Sequence, residues 1–316
     1  MFETSEMELA IGIDLGGTNA RVALVDGAGK VAQAVKVKLD DRTPAAVVEL
    51  LGVQVEALAA GNALPVGVGM AGQILGGSGV VSVAPNLGWR DVPFGALLAK
   101  RLGARVSLMN DVGAAAFGEA HAGAARGEPH ALVVFVGTGV GSGLILNGRL
   151  YTGAMGVAGE FGHVKVVPGG RRCGCGEQGC LEAYVSGKNL TARIAERLDG
   201  GAQSALSPGS TAGDLEKAAL ASDGLAKELW EEASSLLALS LANLVTVLNP
   251  RRVILGGGVL LGCPALKEAV KASVFDYALG VSRVNLELLD AQLGDDAGVV
   301  GAALQALHVR HPAEGR

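Results

Sequence analysis

An apolar strand, a glycine turn and a returning strand occur twice in this chain, and that repetition constrains the fold more than any other feature. Residues 9–26 read LAIGIDLGGTNARVALVD and residues 131–148 read ALVVFVGTGVGSGLILNG. In each, a run of Val, Ile, Leu and Ala reads as a buried strand, and the glycines turn the chain back on itself. The two hairpins lie about 120 residues apart, which points to two related lobes facing each other. A length of 316 residues agrees, at roughly 150 residues per domain. Glycine is unusually abundant, at 49 residues, yet 49% of the chain is apolar and only 18% charged. Such a chain buries a core, so its glycines serve structure or face a ligand.

Between the hairpins strand and helix alternate. Strands are expected at Leu9 to Leu15, Ala20 to Asp26, Pro65 to Met70, Val80 to Val83, Val106 to Met109, Ala131 to Phe135, Leu144 to Gly148 and Arg252 to Leu255. Helices are expected from Pro44 through Leu58, where Thr43 precedes a first-turn proline, and at Phe94 to Leu102, Asp111 to Ala125, Lys188 to Leu198, Ala212 to Ala221, Leu225 to Leu248 and Ala297 to Leu307. The expected division is an N-terminal α/β lobe over residues 1–112, joined by the last helix at 297–308, and a larger C-terminal lobe over 113–296.

Several function classes are excluded on composition. The net charge is −5 and no basic run exists to neutralise a phosphate backbone, so nucleic acid is not an expected partner. Residues 1–8 lack the charged and apolar regions of a secretory signal. The most apolar helical stretch, Ala233 to Leu248, is broken by Ser234, Ser235, Ser240, Asn243 and Thr246 and reads as a core helix, not a membrane span.

Three of the four cysteines, Cys173, Cys175 and Cys180, fall in one glycine-rich segment ten residues after His163. Three thiolates and an imidazole make a closed tetrahedral set, which reads as a structural zinc site with no position left for water. Cys263 stands apart as a buried spare, and His121, His130, His308 and His311, without companions at ligand spacing, are expected on surfaces or at helix ends. Glu160 and Glu182 flank the cysteine segment, where a stiffened loop could offer hydrogen-bond acceptors to a polyhydroxyl ligand.

The glycine turns suit phosphate. Without a Cβ, successive backbone N–H groups approach an anion closely, and a threonine adds a hydroxyl donor. Gly16, Gly17, Thr18 and Asn19 form one such turn, Gly137, Thr138 and Gly139 a second, and Gly256, Gly257 and Gly258 a third at the end of a strand. Asp14, at the end of the first strand, could hold magnesium through water. Two better-known phosphate motifs fail: Gly67-Val68-Gly69-Met70-Ala71-Gly72 runs into more glycines instead of a helix, and no G-x-x-x-x-G-K-[ST] occurs. Asn86, in PNLGW, and Asn110 with Asp111 add polar groups at strand ends, Asp111 being well placed as a helix N-cap.

Taken together, these segments resemble the ROK family of repressors, open reading frames and kinases, and its glucose-phosphorylating bacterial members most of all. IGIDLGGTNARVALVD and VFVGTGVGSGLILNG are similar to its phosphate motifs, VILGGGVL to its adenosine motif, and GEFGH followed by CGCGEQGCLEAYVSG to its signature and zinc motif. The resemblance implies an actin-like ATPase (ribonuclease H-like) α/β fold, two lobes around a cleft, with a structural zinc loop. It implies an ATP-dependent hexokinase with Asp111 as general base. Asn86, Asn110, Asp111, Glu160, His163 and Glu182 would bind the sugar, the three glycine turns and Asp14 would serve ATP and Mg2+, and His163, Cys173, Cys175 and Cys180 would hold Zn2+. It further implies a cytoplasmic homodimer or homotetramer. Val112-Gly113, and Met70-Ala71-Gly72 without a proline, depart from the family pattern near the sugar, which leaves other hexoses open: N-acetylmannosamine, N-acetylglucosamine, fructose or allose. A sugar-sensing repressor on the same lobes would carry a DNA-binding helix-turn-helix before Asp14, where this sequence leaves no room for one.

Overall fold

The computed structural model of the chain describes residues 8–76 and 78–310, the side chains of 309 and 310 excepted. In chain order its elements are β1 (Leu9–Leu15), β2 (Asn19–Asp26), β3 (Val31–Lys38), α1 (Pro44–Ala59), β4 (Val66–Met70), β5 (Gln73–Leu75), β6 (Val80–Ala84), β7 (Trp89–Val92), α2 (Phe94–Leu102), β8 (Val106–Asn110) and α3 (Asp111–Ala122). There follow β9 (His130–Val136), β10 (Val140–Leu146), β11 (Arg149–Tyr151), α4 (Glu182–Val185), α5 (Gly187–Asp199), α6 (Ala212–Leu220), α7 (Gly224–Leu248), β12 (Arg252–Gly256), α8 (Gly258–Gly262), α9 (Pro264–Tyr277), β13 (Glu287–Asp290) and α10 (Ala297–Arg310). Contacts divide the chain into two compact units, one of residues up to 129, 143–159 and from 291 onward, the other of residues 130–142 and 160–290.

In the first unit a five-stranded sheet has the order β3-β2-β1-β4-β8. β1 and β2 pair antiparallel as the expected hairpin, whereas β1, β4 and β8 run parallel. Parallel strands bury both faces. On one side Ile11, Ile13, Leu15, Val66 and Val68 join Val47, Leu51 and Val55 of α1 with Phe94 and Leu98 of α2. On the other, Ala10, Ala23 and Val25 meet Phe117 of α3 and Val299, Val300 and Ala303 of α10. Glycine lets α10 lie directly on the sheet, since a Cβ at Gly12 or Gly67 would fall 1.9 Å from the Val299 carbonyl oxygen or 1.8 Å from that of Ala302. A small antiparallel sheet, β5-β6-β7, lies between β4 and α2 in the chain.

A second five-stranded sheet repeats the order as β11-β10-β9-β12-β13, again with three strands, β9, β12 and β13, parallel. The doubled hairpin of the sequence therefore reports a doubled sheet. The helix α7 is the one, among the described residues, that is long and apolar enough to cross a membrane by length and composition. It instead turns Leu225, Leu229, Ala233, Leu237, Leu241 and Val245 inward and packs on α6 and α9.

Three expectations need correction. The strand returning from the second glycine turn begins at Val140, not Leu144, because Gly143 packs against α3: a Cβ on it would lie 2.2 Å from that of Ala116. Asn147 and Gly148, both at positive φ, turn the chain into β11 instead of ending the strand. The helix beginning at Asp111 stops at Ala122, where the Glu119 carboxylate turns back to accept the N–H of Ala124 at 2.8 Å. The strands β3, β5, β7, β11 and β13 and the helices α4, α8 and α9 were not expected from the sequence.

Candidate active site

Asp14 and Asp111 emerge at the carboxyl ends of β1 and β8, which flank β4. Register pairs Asp14 with Gly69 and Asn110 with Met70, so the three strands finish side by side, the place where open α/β sheets bind ligands. The N-cap of α3 is Asn110, not Asp111. The Asn110 Oδ1 accepts from the N–H groups of Val112 at 3.0 Å and Gly113 at 3.2 Å, while its amide donates to the Gly72 carbonyl at 3.1 Å. Asp111 thus occupies the first helical position, one of its oxygens accepting the Val112 N–H at 2.9 Å.

The two carboxylates share a poorly hydrated environment. Burial raises the Asp111 carboxyl above the usual range, against the hydrogen bonds it accepts. Asp14 is pushed up to about 6, by burial first and by the Asp111 charge second, with Arg21 opposing both. Arg21 faces Asp14 across the β1–β2 ladder, and is itself held by an ion pair to Asp296 and by donation to the Asp295 carbonyl at 2.8 Å. The first turn of α10 closes on Asp14, for a Cβ on Gly298 would sit 3.1 Å from the Asp14 Cγ.

Beside these acids the first glycine turn is closed by donation from the Gly16 N–H to the Asn19 carbonyl at 3.0 Å, with Thr18 exposed at its tip. Gly17 admits Asn86: a Cβ there would be 2.7 Å from that of Asn86. Arg42 holds this approach, donating to the Asn86 carbonyl at 3.4 Å and accepting the Trp89 indole N–H on its own carbonyl at 2.7 Å.

In the second unit the turn at Gly137–Thr138–Gly139 is built in the same way, with the Gly137 N–H donating to the Gly139 carbonyl at 2.9 Å and Thr138 exposed. Because β9 and β12 pair in parallel, with Gly256 opposite Phe135, the triple glycine ends beside this turn. Gly257 has φ +89°, and a Cβ there would strike the Val136 carbonyl oxygen at 2.5 Å.

The donor atoms of His163, Cys173, Cys175 and Cys180 all lie within 4.8 Å of one another. Cys175 Sγ is 3.7 Å from Cys180 Sγ, and Cys173 Sγ is 3.8 Å from His163 Nδ1. A tetrahedral ion with bonds of about 2.0–2.3 Å has edges of roughly this length, so the residues fit zinc. The other histidine nitrogen faces the Glu160 carboxylate at 3.7 Å, the outer partner that a metal-bound imidazole takes. Lys165 Nζ, 3.0 Å from Cys180 Sγ, supplies a positive charge beside the thiolates. Burial pushes the Cys173 thiol up to about 12, so this ligand keeps its proton until a metal displaces it. Glu182 opens α4 directly after this loop and turns its carboxylate toward both Val140 and Cys173.

Arg21, Arg42 and Lys165 escaped the sequence reading. The first is legible in retrospect, since a hairpin of this register places it opposite Asp14. The other two are isolated in sequence, Arg42 answering distant backbone and Lys165 a sulfur and the Glu177 carboxylate. Of the remaining histidines, His121 and His308 do lie near helix ends but pack together, ring centroids 4.7 Å apart, and His121 also stacks on Phe117. Cys263 is buried, His130 opens β9, and His311 lies outside the described residues.

Comparison with known proteins places this geometry in context. The sequence model of the ROK family matches residues 10–309. A glucokinase of Streptomyces coelicolor is 34% identical over 308 residues, covering 94% of this chain and 97% of its own. Among solved structures, a ROK hexokinase from Thermus thermophilus superposes with a TM-score of 0.86 at 34% identity, covering 96% of this chain and all of its own. A ROK family glucokinase from Streptomyces griseus, solved in complex with glucose and AMPPNP, gives a TM-score of 0.78 at 33% identity, covering 95% of this chain and 99% of its own.

Proposed function

As the chain belongs to the ROK family, with the actin-like ATPase fold of its sugar kinases, we propose that it transfers the γ-phosphoryl group of ATP to the 6-hydroxyl of glucose. The observation that carries this reading is the pair of poorly hydrated carboxylates, Asp14 and Asp111, at the ends of neighbouring parallel strands. Asp111 takes the proton of the 6-hydroxyl as that oxygen attacks phosphorus and the bond to ADP breaks. Burial raises its proton affinity toward the working pH, which suits a general base, and the Val112 N–H fixes its orientation.

Gly16, Gly17, Thr18 and Asn19, with Gly137, Thr138 and Gly139, offer N–H and hydroxyl donors to the phosphates, and Gly256, Gly257 and Gly258 serve the adenosine. A magnesium ion near Asp14, when bound, neutralises charge that gathers on the phosphates. Asn86, Asn110, Asp111, Glu160, His163 and Glu182 bind the sugar. Asn110 spends its oxygen on the α3 cap and its amide on the Gly72 carbonyl and the Asp111 carboxylate, so it steadies the base while lining the sugar position. His163, Cys173, Cys175 and Cys180 hold zinc, which orders the loop that presents the sugar-binding acids. A sugar that lacks or inverts a hydroxyl leaves such groups unpaired, at a discrimination of up to about 10⁴-fold. The enzyme works in the cytoplasm as a homodimer or homotetramer, as the family resemblance implies.

ADP release measured with glucose, N-acetylmannosamine, N-acetylglucosamine, fructose and allose tests the assignment. Glucose should support the highest kcat/KM, and Asp111→Asn should lower kcat by about 10²–10⁴ while glucose still binds. Turnover that survives in Asp111→Asn removes it as the base; preference for another hexose overturns the substrate.

A further inference from the structure

The segment leaving the cysteine loop is fastened to the second glycine turn at two points. One oxygen of the Glu182 carboxylate accepts the Val140 N–H at 2.9 Å, and the other faces Cys173 Sγ at 3.9 Å. Five residues on, the Gly187 N–H donates to the Gly137 carbonyl at 2.8 Å. The turn is shaped to receive this carboxylate, because a Cβ on Gly139 would lie 2.8 Å from Glu182 Oε2. The base of the strut is rigid too. Asn189 donates its amide to the Glu182 carbonyl at 3.1 Å and to Ser186 Oγ at 2.8 Å, and Cys180, two residues before Glu182, is fully buried.

A carboxylate beside a phosphate-binding turn is unfavourable on charge alone, since it repels the anion the turn is built to hold. It also takes a backbone donor that could have gone to that anion. What the arrangement supplies is position. A side chain with one oxygen on the strand that leaves the turn, and the other against a metal-ligand sulfur, ties the two to one geometry.

We propose that Glu182, besides its contact with the sugar, is a positioning residue that couples metal occupancy of the His163–Cys173–Cys175–Cys180 set to the conformation of the Gly137–Gly139 turn, so that phosphate binding depends on the metal. This rests on the phosphotransfer reading above, and it adds a nucleotide role to a loop otherwise assigned to the sugar. Loss of the metal frees Cys173 and its neighbours, lets the Glu182 carboxylate swing away, and leaves the Val140 N–H without its acceptor.

The full-length protein with measured zinc content, the chelator-stripped protein, Glu182→Ala and Glu182→Gln provide the test. Amide exchange is followed across residues 131–146, and the affinity for a non-hydrolysable ATP analogue with magnesium is measured without sugar. Stripping zinc, and Glu182→Ala at full zinc content, should each speed exchange at Val140 and weaken the analogue about tenfold, the worth of one well-placed hydrogen bond. Glu182→Gln keeps an acceptor for Val140 and should restore both, though sugar affinity falls in both variants. Stripping zinc from Glu182→Ala should weaken the analogue no further, as expected of two groups acting through one path. Slow Val140 exchange with undiminished analogue affinity in Glu182→Ala, or losses that add, overturns the proposal. Should metal removal unfold the loop, Glu182→Ala against Glu182→Gln decides alone. Absence of hexose-dependent ADP release from the unaltered enzyme would instead sink the phosphotransfer reading, and the exchange data would still decide the strut.

Discussion

Asp14 places function and stability in opposition. Its carboxyl, pushed up to about 6 in the folded chain, titrates near 3.8 when unfolded. A carboxyl raised on folding lends stability while it is protonated, below about pH 4, and that contribution is lost as pH rises through about 6. The difference of about two units corresponds to roughly 3 kcal/mol above pH 7. Asp14→Asn should therefore raise Tm in magnesium-free buffer at pH 8 and leave it nearly unchanged at pH 4, as melting curves at the two pH values would register. An equal shift at both would mean that ionisation is not the cause. His121 runs the other way: burial chiefly, with His308 adding to it, brings its imidazole down to about 4. The stability it lends is complete above about pH 6.5 and drains away toward pH 4, so His121→Phe should flatten the acid limb of the stability profile. At this scale the sequence was readable where chemistry marks a residue by type and spacing, as with His163 and the three cysteines. It was silent where a side chain answers a distant backbone group, as when Glu182 accepts from Val140, 42 residues away.

Among the elements, α10 is held so closely to the sheet that its partners on β1 and β4 must be glycine. Replacing glycine by alanine within a strand usually stabilises by reducing the freedom of the unfolded chain, by about 0.4–1 kcal/mol. At Gly67 the sign should reverse, because the new methyl would meet the Ala302 carbonyl carbon at 2.5 Å and its oxygen at 1.8 Å, both backbone atoms that cannot rotate aside. Overpacking of this kind costs about 1–3 kcal/mol. Gly67→Ala should lower Tm by several degrees, whereas Gly224→Ala, at the start of α7 with nothing within 4 Å and no positive φ, should not. The alternation of strand and helix was legible from periodicity. The edge strand β3 was not, being half exposed along its length, so that no buried run announces it. Nor was the true start of β10, where Gly143 reads as a turn residue until Ala116 of α3 is seen to need its small size.

The whole molecule is a sheet topology used twice, and the doubled hairpin made that legible. What the hairpins could not disclose is how the chain shares itself between the units, since residues 143–159 and those after 291 belong with the first. Ligand linkage acts at this level. Saturating glucose at about 100 times its Kd should stabilise the protein by roughly 2.7 kcal/mol, and the same gain in Asp111→Asn would show that the fold and the sugar site survive the loss of turnover. The membership of α10 has one more consequence. A ribosome delivers the chain from its amino end, so β1, β4 and α3 are synthesised long before the helix that covers Ala10, Val25 and Phe117. Until residues 297–310 emerge, that apolar surface lacks their cover, and folding of the first half must wait for that helix to be translated. A fragment ending at residue 129 should stay aggregation-prone, and fusing residues 291–310 to it through a flexible linker should give a cooperative unfolding transition that the fragment alone lacks.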